Sequence, residues 1–221
     1  MKARSHCMSC GYQLEWFDLI PLFSWIFLGG KCRKCKTKLS VQYPLIELLN
    51  GLLWLTTFLF FGLSVTTLLY CGLESSLIAL SVIDFRTYEI PVGFNVFVLI
   101  LGLIRVVTDY HSWQEYLIGL VSVSVPLLLI FYATKGKGIG GGDIKLMAAV
   151  GLLLGWKLTA LAFFLGCLLG SVIHIARMKI SGESHVLAMG PYLSGGILIS
   201  VFAGEQMISA YLGYLESLIS V

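Results

Sequence analysis

Charge is what this sequence has least of: Asp, Glu, Lys and Arg make up 12% of its 221 residues, about half the roughly 25% of a soluble domain. A chain of this length cannot hide 57% hydrophobic residues in one water-surrounded core, and its mean hydropathy is +0.89. An ordinary cytosolic enzyme, a disordered regulator and a disulfide-rich secreted scaffold are therefore excluded. The N-terminus is not expected to act as a cleavable signal peptide. The first apolar stretch is broken by Glu15, Asp18 and Pro21, with no small-residue cleavage site behind it. No internal repeat or low-complexity linker divides the chain. What remains is a polytopic membrane protein.

Apolar stretches begin near Pro44, and spans are expected at about 43–62, 65–83, 91–108, 116–133, 144–156, 158–176 and 187–203, taking roughly 20 residues per crossing. The tail 206–221 reads either as a last span or as an amphipathic helix at the interface. Seven of the 15 Lys and Arg residues (Lys2, Arg4, Lys31, Arg33, Lys34, Lys36 and Lys38) fall in the first 38 positions. Clustered cations attract nucleic-acid phosphates, but beside a run of spans they mark the cytoplasmic side, because basic loops resist translocation. With residues 1–40 inside, the loops bearing Arg86, Lys135, Lys137, Arg177 and Lys179 are also inside, and Lys157 alone stands on the wrong side. The expected fold is all-α, with about seven or eight transmembrane helices. Residues 1–40 form a small cytoplasmic domain and residues 41–221 lie in the lipid bilayer. No nucleic-acid partner is expected.

Four of the six cysteines form two CxxC pairs, Cys7/Cys10 and Cys32/Cys35, separated by 21 residues. Paired knuckles at this separation suit tetrahedral zinc, each pair supplying two thiolates to one side of the ion. Gly11 follows the first pair, while Lys31, Arg33, Lys34 and Lys36 surround the second and offset the charge of a tetrathiolate. The competing reading is two disulfides, which a cytoplasmic compartment disfavours, or four unpaired thiols. A polar unit of about 40 residues has too little core to fold alone, and a metal supplies what burial cannot. Cys71 and Cys167 sit inside apolar spans and read as packing.

Ionisable residues in or near spans are costly and tend to be functional; here they are Glu47, Glu74, Asp84, Arg105, Asp143 and His174. Two stand apart. Asp84 closes the second span ahead of Ile90-Pro91, and Asp143 opens the fifth behind Gly140-Gly141-Gly142, with Lys145 following. Both are expected at the cytoplasmic border, although 58 residues separate them. Two carboxylates that share one proton can activate a water and polarise a scissile carbonyl. The three glycines let an extended substrate backbone approach. The competing reading is a flexible loop followed by an aspartate that favours a helix N-terminus. A phosphate-loop reading fails, because Gly-x-x-x-x-Gly-Lys-Ser/Thr is absent and no strand precedes the glycines.

With these residues in place the chain resembles the type IV prepilin peptidases, membrane aspartic proteases of the GxGD type. The resemblance rests on Cys7, Cys10, Cys32 and Cys35, on Asp18-Leu-Ile-Pro21-Leu-Phe-Ser24-Trp25, and on Tyr43-Pro44-Leu-Ile-Glu47. It continues through Asp84 with Ile90-Pro91, Gly140-Gly141-Gly142-Asp143-Ile-Lys145 and Gly190-Pro191-Tyr192-Leu193. It implies a catalytic pair at Asp84 and Asp143, and a substrate-approach loop of Gly140, Gly141, Gly142 and Lys145. It further implies cleavage of basic leaders from prepilins or pseudopilins at the cytoplasmic face of the inner membrane. Methylation of the new N-terminus from S-adenosylmethionine is implied by the resemblance alone. Relatives usually begin with another span bearing a Gly-Ser-Phe-Leu-Asn-Val-type stretch, so either the true start lies upstream or the protein works with one fewer helix. Val92 stands where an aspartate often follows Ile-Pro, a change of tuning rather than of chemistry.

Two other classes use some of the same residues. A non-enzymatic zinc-tethered membrane adaptor would bind pilins without cutting them. A transporter would run protons or cations past Glu74, Asp84 and Asp143, but transport sites lie near the midplane, and both aspartates are expected at one border.

Overall fold

The computed structural model describes residues 5–136, 138–181 and 187–219, so Lys2, Arg4 and Lys137 of the basic segments lie outside the described residues. The chain divides into two compact units, Met1–Thr56 and Thr57–Val221.

The first unit is built on two knuckles of the same design. In each, an isolated antiparallel bridge (His6 with Gln13, Lys31 with Lys38) closes a loop carrying one CxxC pair. The fourth residue after the first cysteine has positive φ in both, Gly11 at 68° and Lys36 at 58°, and donates its N–H to that cysteine's carbonyl. Between the knuckles lie a 3-10 turn, Trp16–Leu19, and the short helix α1, Phe23–Phe27. Asp18 ties the parts together. Its carboxylate accepts from Arg33 Nε at 2.8 Å and from the Tyr12 hydroxyl at 3.4 Å, and pairs with Arg33 Nη2 at 2.7 Å. The unit ends in the first part of helix α2, Gln42–Phe61.

The second unit takes the end of α2 and then α3 (Val65–Thr87), α4 (Val92–Thr108), α5 (Trp113–Ser122), α6 (Ser124–Ala133), α7 (Gly141–Leu154), α8 (Trp156–Ser181) and α9 (Gly190–Ile219). Among the described residues, five stretches are long and apolar enough to cross a membrane, with α4 a shorter apolar helix. The expected span 116–133 is interrupted at Val123. Pro126, in the first turn of α6, has no N–H and crowds the carbonyl four residues back, which breaks the ladder there. The tail is not a separate element: residues 206–219 continue α9.

α7 is the axis of this unit. At 14 residues it is about 21 Å long, shorter than the roughly 30 Å hydrocarbon layer. Leu146, Met147, Val150 and Leu153 are fully buried, packed with Leu73, Leu77 and Leu80 of α3, Val98 of α4, and Leu193 and Ile197 of α9. Lipid is as apolar as these side chains, so close backbone approach rather than water exclusion holds such helices together. Gly119 of α5 and Gly151 of α7 cross so closely that a Cβ on either would overlap the other's backbone. Gly196 of α9 meets α8 at Gly166 in the same way. These crossings hold α7 close against α5 and α9 close against α8.

Candidate active site

Three of the six ionisable groups singled out in or near spans, Glu47, Glu74 and Arg105, have structural partners. Glu47 accepts the Leu22 N–H at 2.9 Å. Glu74, fully buried, accepts from the Thr57 hydroxyl. Arg105 donates through Nε to the Tyr116 hydroxyl at 2.9 Å and also to Thr66, while the Tyr116 hydroxyl donates to Asp109 at 2.6 Å. That hydrogen bond, with Arg105 adding its charge, holds the Asp109 carboxyl below the usual range. Asp84 and Asp143 are differently placed.

Asp84 lies in the last turn of α3 and is 4% exposed. The helix stops one residue after Thr87, where Tyr88 adopts left-handed φ of 57° and returns its N–H to the Asp84 carbonyl at 2.8 Å. The Asp84 side chain accepts the backbone N–H of Gly190, the first residue of α9, at 2.8 Å. Only glycine fits there, since a Cβ would stand 2.7 Å from Asp84 Oδ2.

Asp143 is the third residue of α7, the position of the acidic partner in a capping box, and its carboxylate lies over Gly140. A Cβ on Gly140 would stand 2.8 Å from Asp143 Oδ2. On the other side, Gly142 packs against Ile90, and its carbonyl accepts from Asn95 Nδ2 at 3.4 Å. The carboxylate thus sits at the positive end of one helix while Asp84 receives that of another.

The two aspartates line one cavity of about 550 Å³. Gly140, Ile139 and Gly138 form one part of its wall, and Phe163, Cys167, Met189 and Leu193 are apolar parts. Of the expected approach loop, Gly140 lines the cavity. Gly141 and Gly142 form the first turn of α7, and Lys145 is exposed on that helix away from the lining. Cys167, read from sequence as packing, is part of the wall. Gly190 as a partner of Asp84 leaves no periodic signal, being 106 residues away; only the Gly190-Pro191 resemblance pointed at it.

The four knuckle cysteines form a second cluster. Their sulfurs all lie within 4.8 Å of one another, with Cys7 Sγ to Cys35 Sγ at 3.8 Å. Metal–thiolate bonds of about 2.3 Å in a tetrahedron put sulfurs about 3.8 Å apart, so the donor set fits a bound metal ion. The Thr37 hydroxyl, 3.1 Å from Cys35 Sγ, and the Thr37 backbone draw that thiol down to about 6, towards the ligating thiolate.

The chain is similar to known proteins over most of its length. Residues 1–61 match the bacterial peptidase A24 N-terminal domain, and residues 71–175 match the type IV leader peptidase family. A prepilin leader peptidase/N-methyltransferase of Bacillus subtilis (strain 168) is 32% identical over 212 residues, 95% of this chain and 85% of that one. Proteins of the same name from Pseudomonas putida and Aeromonas hydrophila are 31% and 32% identical, over 93% and 96% of this chain and 74% and 76% of theirs. No solved structure matches. From the paired cysteine knuckles to the α3–α7 carboxylates, the chain belongs to the type IV leader peptidase family.

Proposed function

We propose that this protein is a membrane aspartic endopeptidase that removes the leader of type IV prepilins or pseudopilins at the cytoplasmic face of the bacterial inner membrane, with Asp84 and Asp143 as the catalytic pair. The observation that carries the assignment is the meeting of two carboxylates, from opposite ends of two helices, in one cavity walled by a glycine-rich turn. Two carboxylates facing one cavity can share one proton between them. The ionised carboxylate takes a proton from a water as its oxygen attacks the scissile carbonyl, and the protonated one donates to the carbonyl oxygen. Collapse of the tetrahedral intermediate expels the new N-terminal amine, which takes up the proton. A helical peptide hides its carbonyls in its own ladder, so the scissile segment enters extended; Gly140, without a side chain, lets its backbone approach.

Zinc held by Cys7, Cys10, Cys32 and Cys35 is structural in this reading, a closed tetrathiolate with no open position for substrate. The N-terminal domain is cytoplasmic, in keeping with its basic residues. Methylation of the new N-terminus, with S-adenosylmethionine as the consumed donor, belongs to the same proposal, on the strength of the relatives' names. The test is cleavage of a co-expressed prepilin judged by N-terminal mass, with wild type beside Asp84→Asn and Asp143→Asn. Leader loss in wild type alone is expected, with an added methyl mass if the second activity is present. Retained cleavage in both variants overturns the pair, and pilin capture without cleavage by any of the three establishes an adaptor instead.

A further inference from the structure

The first unit carries a run of apolar side chains that its own small core does not use. Trp16, Leu19, Phe23, Ile26 and Phe27 are 75%, 53%, 63%, 65% and 85% exposed. Their spacing of three or four residues matches one face of a helix, although Leu22 (φ 61°) breaks the segment between the 3-10 turn and α1. Isolated exposed apolar residues need no explanation, but a contiguous set marks an interaction surface.

The chain itself fixes where that set lies. Leu39 is bonded to the second knuckle through Gly30, Leu39 N–H to Gly30 O at 2.7 Å, and α2 begins at Gln42. The three steps from Leu39 to Gln42 reach about 11 Å at most. α2 has 20 residues, which at 1.5 Å each just match a hydrocarbon layer of about 30 Å, so its first residue stands at the layer's edge. Glu47, which accepts the Leu22 N–H at 2.9 Å, is then about 7.5 Å below that edge. A segment bonded to Glu47 lies at the boundary between headgroups and acyl chains, where interfacial amphipathic helices bury their apolar face. The adjoining charge is of matching sign. Arg33 lies over the Phe17 ring at 4.9 Å and pairs with Asp18, which brings the Lys31–Lys38 stretch beside the apolar run.

We propose that residues 16–27 form an interfacial wedge, inserted into an anionic phospholipid leaflet by Trp16, Leu19, Phe23, Ile26 and Phe27 and held there by the lysines of the second knuckle. The cysteine unit is then a membrane-surface module rather than a domain suspended in the cytoplasm. This does not depend on the roles given to Asp84 and Asp143.

The full chain, with p-benzoylphenylalanine in place of Phe27, is reconstituted in phosphatidylethanolamine–phosphatidylglycerol vesicles and photolysed, and adducts are identified by mass spectrometry. The same replacement at Leu59, exposed on α2, and at Met8, exposed on the first knuckle, gives the lipid-contacting and water-contacting references. Position 27 is expected to form phospholipid adducts about as well as position 59, and about tenfold better than position 8. Lys34→Glu/Lys38→Glu is expected to lower the yield at position 27 in anionic vesicles and to leave it unchanged in purely zwitterionic ones. A yield at position 27 no higher than at position 8 overturns the wedge. So does crosslinking of position 27 mainly to the second unit, to another copy of the chain, or to an added prepilin. Prepilin cleavage by the same vesicles reports separately on the aspartate pair, so a chain that cuts its substrate without forming adducts refutes the wedge alone.

Discussion

Gly190→Ala tests the site more sharply than removing either carboxylate, because it leaves both in place. The added methyl would begin 2.7 Å from Asp84 Oδ2 and 3.0 Å from its Cγ, where carbon–oxygen contacts are normally no closer than about 3.3 Å. The carboxylate or the start of α9 must yield by about half an ångström or more, and the Gly190 N–H bond at 2.8 Å stretches with it. Loss of a hydrogen bond to a charged group is worth about 1.5–3 kcal/mol, and an ångström of misplacement at reacting groups costs about 10²-fold in rate. A kcat lower by about two orders of magnitude is therefore expected, with KM nearly unchanged because the cavity walls stay. Overpacking costs about 1–3 kcal/mol of stability, small enough for the helices to remain assembled. Gly93→Ala is the control. A Cβ there meets nothing within 4 Å, and alanine in a helix gains about 0.5–1 kcal/mol over glycine. The assay is kcat and KM for prepilin cleavage by purified chain in mixed micelles, with thermal unfolding alongside. A Gly190→Ala enzyme within threefold of wild type in kcat would refute the account of how Asp84 is held.

Two further outcomes follow from other parts of the molecule. Cys32, the most buried knuckle cysteine at 3% exposure, changed to Ser should reduce bound zinc from about one ion per chain to well below it, as read by elemental analysis of the purified protein; undiminished zinc would remove the tetrathiolate. Thr57→Val leaves the Glu74 carboxyl without its donor and should destabilise by about 1–3 kcal/mol, whereas Thr57→Val/Glu74→Leu removes both polar partners and should recover most of the loss. Unfolding in mixed micelles measures both, and equal destabilisation by the single and double variants would mean that Glu74 has other partners.

Much of the fold was legible because a bilayer imposes strict conditions on sequence. Within hydrocarbon each backbone group must be satisfied along its own helix, so apolar runs of the right length identify spans almost independently of context. The starts of α2, α3 and α4 were legible to within a residue or so. The interrupted α5–α6 stretch was harder to see, since Pro126 lies in a run as apolar as its neighbours. The undivided α9 was missed for the opposite reason: its polar residues 205–206 mimic a loop, while the helix simply continues past the packed region.

The sequence by itself determined that this is a helical membrane protein with two CxxC knuckles, because composition, span length and metal-ligand spacing are local properties. It also marked Asp84 and Asp143 as exceptional, since acidic residues at span borders beside Ile-Pro and three glycines are conspicuous in so uncharged a chain. Only the tertiary structure decided which ionisable groups are already occupied, as Glu47, Glu74 and Arg105 are, and that both aspartates open into one cavity. Cys167 and Phe163 of α8 join that cavity, and the Gly190 amide of α9 reaches Asp84, for the same reason. Such relations depend on how closely glycine-faced helices cross, a distance set by both surfaces at once and written in neither alone.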